Sequence, residues 1–430
     1  MEDIRLGAIL LEGGVVDEAG LERCLAIQAL TGGSHPLGQI LVEQGLIGTD
    51  QLKRLLDLQR TRVAARTAEV QDTDVGCASL LQAARTQHAA EIVVSEGRPV
   101  RMRVACEWRQ LTTESLRGPE VWEFVRELMG AEVLEALAER HFVVHAWDRG
   151  DIGRGSATAF RQFDGVAVRV TFAAAEAPTA EQASLPPRLV EVVAAGKGLV
   201  LIVGERGIGR ADMLAPMVQL AARETDHYVV VIDDEPLPLP TTGALVVRRR
   251  FGISPAERAA TLRNVVREDP DTLVIADVGS PETFELALRA AEGGRRVIAY
   301  MDAGTVTAAL VRALNFYPTY DLPRVRSSLA AVLRAVLVRQ MLPDVDHEGT
   351  VAATELLLVD DAVREVVRHG ELMDLGLLIR AEGSQCGHSL DRCMLDLLVA
   401  GRVRMEDVFA RAEEKAWLLE RTKDLQANIR

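Results

Sequence analysis

The stretch GLVLIVGERGIGRAD at residues 198–212 decides the fold, because an apolar run passes at once into a glycine-rich loop. Gly204, four intervening residues and Gly209 match the start of the pattern G-x-x-x-x-G-K-[ST], in which loop N–H groups and the following helix N-terminus hold phosphates. The next two positions hold Arg210 and Ala211, and Ala211 has no hydroxyl to ligate Mg²⁺. The sequence therefore predicts a phosphate-binding backbone that lacks the two side chains usually serving it.

Strand-like apolar runs and helical segments alternate around this loop. The strand-like runs are GLVLIVG, YVVVIDD, TLVIADV and RRVIAYM. This alternation predicts a parallel sheet covered by helices, and we assign residues 183–355 to this α/β core. From Leu322 onward the pattern is almost entirely helical, and residues 356–430 are assigned to a helical C-terminal region.

The residues before the core show a mixed pattern. Two strand pairs are predicted, one with a turn at residues 96–98 and one with a turn at Asp164-Gly165, and the helical stretch VWEFVRELM lies between them. We therefore predict an α+β domain at residues 77–182. Residues 63–76 lose the periodicity and are assigned to a linker.

The N-terminal region contains an internal repeat. RLGAILLEGGVVDEAGLERCLAIQ at residues 5–28 returns, shifted by 31, as PLGQILVEQGLIGTDQLKRLLDLQ at residues 36–59. The recurring positions of the first half are Leu6, Gly7, Leu10, Leu11 and Gly14, matched by Leu37, Gly38, Leu41, Val42 and Gly45. Each copy predicts a short helix, a glycine that ends it and a second helix, so residues 1–62 are predicted to form one small helical domain.

The composition excludes several classes of function. The 49 basic and 63 acidic side chains give a formal charge of −14, the wrong sign for a protein that coats nucleic acid. The five cysteines are scattered, which favours a reducing compartment. Neither a signal peptide nor direct membrane insertion is predicted, so a cytoplasmic protein is expected. Cys386, His388 and Cys393 lack the spacing of a metal site, and no metal is predicted there.

The segment REDPDTLVIADVGSPETFELALRAAEGG at residues 267–294 resembles the Walker B region of the ATPases that drive type IV pili and type II secretion. The likeness continues in ISPAERAATLRNVVREDPD before it and in VRQMLP and GTVAATELL after it. It is closest to the pilus retraction branch. The resemblance implies a RecA-like core behind a PAS-like α+β domain. It also implies partners in the pilus or secretion machinery at the inner membrane, and a ring of six subunits.

The resemblance also implies which residues would form the site. The family's catalytic glutamates correspond to Asp233 and Asp277, each one methylene shorter, and the family's histidine is replaced within the run Tyr300-Met301-Asp302-Ala303. The other nucleotide-site positions are Gly204, Gly207, Gly209, Arg210 and Ala211 in the loop, with Arg161 and Arg169 from the preceding domain. Two simpler interpretations stay open: the loop is a relic turn without a ligand, and the two aspartates only cap backbone groups.

The repeat resembles a module on some pilus and secretion ATPases that binds cyclic di-GMP through two copies of a motif beginning Arg-Leu-Gly. The resemblance implies a ligand site built from Arg5, Leu6, Gly7, Leu10, Leu11, Gly14, Leu37, Gly38, Leu41, Val42 and Gly45. The second copy departs from the motif, because Pro36 stands where the second arginine is expected. The alternative is that the glycines and leucines only pack helices.

Three hypotheses about function follow. The first is a pseudo-ATPase that binds ATP or ADP weakly, senses cyclic di-GMP and regulates or scaffolds a pilus or secretion motor, as a homo-hexamer or in a mixed ring with an active ATPase. The second is an active hexameric motor that compensates with Arg210, Asp233 and Asp277. The third is an adaptor that responds to a ligand only through its N-terminal module.

Overall fold

The computed structural model describes residues 76–428 with short gaps, together with part of residues 1–56. The gaps are residues 106, 141, 164, 174–175, 205–209, 236, 241–242, 253, 347–348 and 382. In the N-terminal part, residues 10, 15–17, 20–21, 23–24, 27, 37–49 and 51–56 are described. The chain divides into two compact units, one of residues 1–121, 342–351 and 394–430, the other of residues 122–341 and 352–393.

The elements follow in chain order. The strands are β1 (Glu91–Ser95), β2 (Pro99–Val104), β3 (Glu107–Ser115), β4 (Phe142–Arg149), β5 (Gly153–Gln162), β6 (Gly165–Ala173), β7 (Gly198–Gly204), β8 (Tyr228–Ile232), β9 (Leu245–Arg249), β10 (Thr272–Ile275), β11 (Arg296–Asp302), β12 (Leu333–Pro343), β13 (Thr350–Leu358) and β14 (Gly387–His388). The helices are α1 (Leu37–Glu43), α2 (Cys77–Thr86), α3 (Gly118–Met129), α4 (Glu132–Arg140), α5 (Pro187–Ala194), α6 (Arg210–Ala221), α7 (Pro255–Arg267), α8 (Pro281–Glu292), α9 (Val306–Leu314), α10 (Leu322–Val332), α11 (Asp361–His369), α12 (Asp374–Arg380), α13 (Leu390–Val399), α14 (Met405–Arg411) and α15 (Lys415–Asn428).

The first unit contains the N-terminal repeat, and its backbone hydrogen bonds repeat with the sequence. Val15 N donates to Leu10 O over 2.9 Å, and Leu46 N, 31 positions later, donates to Leu41 O over 3.0 Å. The buried pairs Leu10 and Leu41, Val16 and Ile47, and Cys24 and Leu55 are related by the same shift and share one core cluster. In the described residues, side chains of both copies therefore pack in one core.

A glycine ends the first helix of the second copy, as the sequence predicts. Helix α1 ends at Glu43, and Gly45 follows with φ of +69°, in the left-handed region that glycine adopts without steric cost. Gly14, its counterpart, and Arg5, Leu6, Gly7 and Leu11 lie outside the described residues, as does the predicted linker except Gly76.

Both predicted β-hairpins are antiparallel strand pairs in the structure, β1 with β2 and β5 with β6. In the first unit β2 pairs with β1 and β3, with Met102 opposite both Ile92 and Arg109. In the second unit β5 pairs with β4 and β6, with Ala159 opposite both Val143 and Val168. The junction of β1 with β2 and that of β5 with β6 fall where the sequence predicts turns, but β4 was not predicted from its pattern.

The second unit is built on an eight-stranded sheet with the order β14-β13-β12-β7-β11-β10-β8-β9. Strands β12, β7, β11, β10, β8 and β9 pair in parallel, which confirms the predicted α/β core. Strand β9 was missed because LVVRR is short and its arginines interrupt the apolar run. At the opposite edge, β14 pairs antiparallel with β13.

Helices cover both faces of this sheet. The side chains of β7 show this, since they alternate between two hydrophobic cores. Leu199, Leu201 and Val203 pack in the core that contains Phe284 of α8. Val200 and Ile202 pack on the other face, with Met213 and Met217 of α6. A strand buried on both faces reads as the continuous apolar run seen in the sequence.

The prediction that the chain is almost entirely helical from Leu322 is wrong for residues 333–358. Helix α10 ends at Val332, and strands β12 and β13 follow. Strand β12 lies beside β7, with Leu337 opposite Ile202. A continuous apolar run is compatible with a buried helix or a buried strand. Here the segment forms a strand because its backbone pairs with β7.

Within the described ranges, the helices are too short or too polar for any of them to traverse a lipid bilayer.

Candidate functional site

The predicted site residues meet where the parallel strands end. Strand β7 ends at Gly204, β8 is followed by Asp233, and β10 is followed by Asp277. Carboxyl ends of parallel strands share one edge of a sheet, and ligands of α/β proteins bind outside that edge. Helix α6 begins at this edge with Arg210. Loop residues 205–209, which include Gly207 and Gly209, lie outside the described part of the chain.

Arg210 is engaged by two carboxylates of its own chain. Its Nη2 lies 2.9 Å from Asp233 Oδ1 and 3.0 Å from Glu235 Oε2. Its Nη1 is 3.5 Å from the carbonyl oxygen of Ala276, at the limit of a hydrogen bond. The guanidinium that stands at the lysine position of the phosphate loop therefore points across the sheet edge to the end of β8.

Asp233 is almost completely buried, with an exposed fraction of 1%. Its Oδ1 also accepts a hydrogen bond from the backbone N–H of Glu235 over 3.0 Å, whereas Oδ2 has no partner among the described residues. Burial raises the pKa of Asp233 to about 6, and the charge of Arg210 opposes this rise. The positive charge of Arg210 is thus the main influence that favours the ionised form of this carboxylate.

The raised pKa of Asp233 predicts a pH-dependent stability. Between about pH 4 and 6 the folded chain keeps a proton that the unfolded chain has released, so this group's stabilising contribution is lost as pH rises through that window. A shift of about two pKa units corresponds to about 3 kcal/mol. Thermal unfolding of wild type and Asp233→Asn at pH 4 to 7 checks this: the midpoint of the Asn variant should rise relative to wild type by roughly 5 °C as pH increases. A difference that stays constant with pH contradicts the assignment.

Asp277 is held in the same way by a different arginine. Its Oδ2 lies 2.5 Å from Nη1 of Arg258, and its Oδ1 accepts from Gly279 N over 2.8 Å. Arg258 is fixed in turn, because its Nε donates to Gly252 O over 2.9 Å and its guanidinium lies 5.1 Å from the ring centroid of Phe251. Both candidate catalytic carboxylates therefore have an arginine counter-ion. Each also accepts a hydrogen bond from a backbone N–H, which is the capping role that the simpler interpretation gives to the two aspartates.

Residues around β9 hold this arrangement in place. Asp234 Oδ1 accepts from the backbone N–H groups of Phe251 and Gly252, over 3.0 and 3.1 Å. Nη2 of Arg248 donates to the carbonyl oxygen of Glu235. Arg248 is half-buried by this contact. The loop that carries Asp233 and Glu235 is thus tied to the strand beside it.

The start of the phosphate loop packs against three neighbouring elements. A Cβ at Gly204 would lie 3.2 Å from Met213 Cε and 3.4 Å from both the Tyr300 hydroxyl and the Arg339 carbonyl oxygen. Tyr300, which stands in the run that replaces the family's histidine, is 3% exposed. Its burial raises its pKa. A neutral phenol therefore fills this position.

These residues fit a phosphate group better than a catalytic Mg²⁺ complex. The N-terminus of α6 favours an anion, since its first N–H groups lack intrahelical acceptors. The carboxylates that a hydrated Mg²⁺ would need are paired with Arg210 and Arg258, and Ala211 offers no oxygen from its side chain. The arrangement can bind an anion, but we derive no hydrolytic step from it.

The other described sequence-predicted residues belong to other elements of the chain. Arg161 is exposed on β5 and Arg169 is half-buried on β6, both on an antiparallel ribbon rather than on the parallel sheet. Leu10, Gly38 and Leu41 are buried in the repeat, and Leu37 and Val42 are partly buried around the same core. The buried leucines pack in this core, as the alternative interpretation of the repeat expects.

The cysteine and histidine near residue 390 make contacts of their own. Cys386 Sγ lies 3.0 Å from Asp360 Oδ2, and His388 Nε2 lies 3.0 Å from Thr354 Oγ1. In the described ranges there is no group of three or more His, Cys, Asp or Glu side chains that could hold a metal ion.

Sequence reasoning missed Arg258, Glu235 and Arg339 as members of the site. Arg258 and Arg339 both lie in segments that carry the family resemblance, which was the available signal. Arg258 contacts Asp277, Glu235 contacts Arg210, and Arg339 lies beside Gly204 through strand pairing. These neighbours are distant in the chain, so spacing along the sequence does not reveal them.

Comparisons with known proteins identify the family of the chain. Residues 153–429 match the family model "Type II/IV secretion system protein". The chain is 27% identical to the type IV pilus ATPase PilU of Pseudomonas aeruginosa over 326 residues, covering 75% of this chain and 85% of PilU. It is 25% identical to the type IV pilus retraction ATPase PilT of that organism over 339 residues, covering 78% of this chain and 97% of PilT.

A solved structure shows the same fold. The crystal structure of the pilus retraction motor PilT with bound ADP matches with a TM-score of 0.64 at 24% identity, covering 78% of this chain and 96% of that one. Together with the family model, this leads to one conclusion: the chain belongs to the type II/IV secretion system protein family and shares the ATPase fold of PilT.

Proposed function

We propose that this chain is a catalytically degenerate member of its family, a pseudo-ATPase that binds nucleotide weakly and regulates or scaffolds a pilus or secretion motor. One observation carries the proposal: the chain's own arginines neutralise both carboxylates at the catalytic positions, Arg210 at Asp233 and Arg258 at Asp277. Phosphoryl transfer depends on positioning and on charge placed around the phosphates. Charges that are already paired within the chain are not available for that task.

The framework around the site supports retained binding of ATP or ADP. The parallel sheet, the strand that leads into the loop and the helix that follows it are all kept. In this proposal the eight-stranded sheet is the RecA-like core, and the α+β region at residues 77–182 is the PAS-like domain that presents Arg161 and Arg169. Mg²⁺ has no part in it, for the reasons of charge pairing given above.

Steady-state phosphate release from Mg-ATP by the purified full-length chain tests the proposal. No release above background is expected, while equilibrium binding of ADP stays measurable. Hydrolysis at the rate of a pilus motor, abolished by Asp277→Ala, would refute the degenerate function and favour an active motor with a non-standard loop.

A second ligand, cyclic di-GMP, is proposed for the N-terminal module. The observation that favours it is the strict 31-residue duplication, which extends to the hydrogen bonds Val15 N to Leu10 O and Leu46 N to Leu41 O. A duplicated backbone is suited to a ligand that itself has two equivalent halves.

Calorimetry of the full-length chain with cyclic di-GMP tests the second ligand. Arg5→Ala is expected to weaken binding by about tenfold or more, since an arginine contact to a phosphate or base is worth ~1.5 to 3 kcal/mol. Arg54→Ala, which alters the second helix of the other copy, is the control and should bind normally. No heat at high micromolar ligand contradicts the module's proposed role.

The partners proposed are components of the pilus or secretion machinery at the cytoplasmic side of the inner membrane. Relatives named for type IV pili and for type II secretion support this class of partner. We propose a homo-hexamer or a mixed ring with an active ATPase as the assembly. Light scattering of the chain, alone and with a motor ATPase, distinguishes the two.

A further inference from the structure

Arg339, near the carboxyl end of β12, is a buried cation with two nitrogens that have no acceptor among the described residues. Its exposed fraction is 8%, and its Nε and Nη1 atoms have no hydrogen-bond partner in the described ranges. Burial lowers the pKa of its guanidinium, and the charge of Asp212 opposes that effect without a hydrogen bond to it. A charged donor group buried without an acceptor is strongly unfavourable. Its position therefore calls for an acceptor that the described contacts do not supply.

The register of the sheet places Arg339 beside the start of the phosphate loop. Arg339 pairs with Gly204 across β12 and β7. Ala335 and Leu337, four and two positions earlier on β12, pack in the core that contains Met213 of α6. Because alternate residues of a strand share a face, Arg339 lies on the face covered by α6, at the end where that helix begins.

Arg210, at the start of α6, is already paired with carboxylates of the chain. Nη2 of Arg210 contacts carboxylate oxygens of Asp233 and Glu235, so the charge of Arg210 is compensated within the chain. Among the described residues, the charge of Arg339 is compensated only at a distance, by Asp212 in the first turn of α6. The planar fork of an arginine matches an acceptor with several oxygens, and phosphate is such a group.

We propose that Arg339 binds a phosphate group at the N-terminus of α6, in the role that a loop lysine serves in other phosphate loops. The ligand class is a phosphate, carried by a nucleoside diphosphate or triphosphate or present as the free ion. The inference rests on the proposed function, because it assumes that nucleotide is bound at this edge without being hydrolysed.

Calorimetry on the full-length chain with ADP, and separately with inorganic phosphate, tests this. Arg339→Gln keeps the length of the side chain but removes its charge, and is expected to weaken binding of both probes by about 10- to 100-fold. Arg334→Gln, at the other end of the same strand and bonded to the carbonyl oxygens of Ala331 and Leu333, is the matched control and should bind as wild type. Weakening with ADP alone assigns the site to the nucleotide, and weakening with both probes assigns it to phosphate generally.

A second variant keeps the proposal testable if Arg339→Gln does not fold. Asp212→Asn removes the carboxylate that competes with the ligand for Arg339, and it should tighten binding of phosphate severalfold. Thermal unfolding supplies a further measure: phosphate should raise the midpoint of wild type and should not raise that of Arg339→Gln.

The outcomes separate this inference from the proposed function. Unchanged ADP and phosphate binding in Arg339→Gln, or unchanged or weaker binding in Asp212→Asn, overturns the role of Arg339 alone. No binding by wild type at millimolar ligand overturns both the role of Arg339 and the proposed nucleotide binding. None of these results requires ATP hydrolysis. Hydrolysis at a motor's rate overturns the pseudo-ATPase function instead, whatever Arg339 does.

Discussion

Phosphate release from Mg-ATP by this chain is expected to be about a thousandfold or more slower than by a pilus motor ATPase assayed beside it. Three contacts are missing: the loop lysine, the hydroxyl at Ala211 and a free carboxylate at Asp277, which Arg258 binds over 2.5 Å. At ~1.5 to 3 kcal/mol for each charge-assisted contact, their loss raises the barrier by about 4 to 9 kcal/mol. Such contacts are not additive, so the lower bound is the firmer one.

A variant with the loop restored separates the loop from the carboxylates. Arg210→Lys with Ala211→Thr returns the two loop side chains, but Asp277 stays bound to Arg258, so phosphate release should stay within about tenfold of wild type. Affinity for ATP, measured in parallel, should increase, which shows that the variant is folded. Release at the motor's rate by this variant would mean that the loop alone accounts for the loss, contrary to the charge-pairing argument.

Arg210→Ala is expected to destabilise the core of the second unit by about 3 to 5 kcal/mol, because it leaves Asp233 buried without its counter-ion. Hydrogen exchange measures this as a lower free energy of opening for the amides of β8 and β7. The effect should diminish below pH 6, where Asp233 takes up a proton, consistent with its pKa of about 6.

The double variant Arg210→Ala/Asp233→Asn provides the control for that prediction. Removing both charges should recover most of the lost stability, since no unpaired charge is left buried. Arg250→Ala, an exposed arginine just after β9, should change stability by less than about 0.5 kcal/mol. A similar loss in the single and double variants would show that Arg210 acts through packing rather than through its charge.

Much of the fold was accessible from periodicity. Runs such as GLVLIVG and TLVIADV are buried on both faces and alternate with helical segments, and both became parallel strands of one sheet. The repeat was also accessible, because a shift of 31 residues matches both side chains and backbone hydrogen bonds. Strand β12 could not be predicted in this way, because the run LRAVLVRQMLP is equally compatible with a helix. Its pairing with β7, which the sequence does not show, makes it a strand.

The site was accessible only in part. The sequence by itself determined that the start of a phosphate-loop pattern follows the apolar run 199–203, that Arg210 and Ala211 stand at that pattern's two chemical positions, and that Asp233 and Asp277 follow two further apolar runs, because these are properties of neighbouring residues. Only the tertiary structure decided that Arg210 pairs with Asp233, that Arg258 pairs with Asp277, and that Arg339 is buried beside Gly204. The physical reason is that burial follows local periodicity, whereas the partner of a charge is set by the order of the strands and by the helices packed on them, which bring together residues distant in the chain.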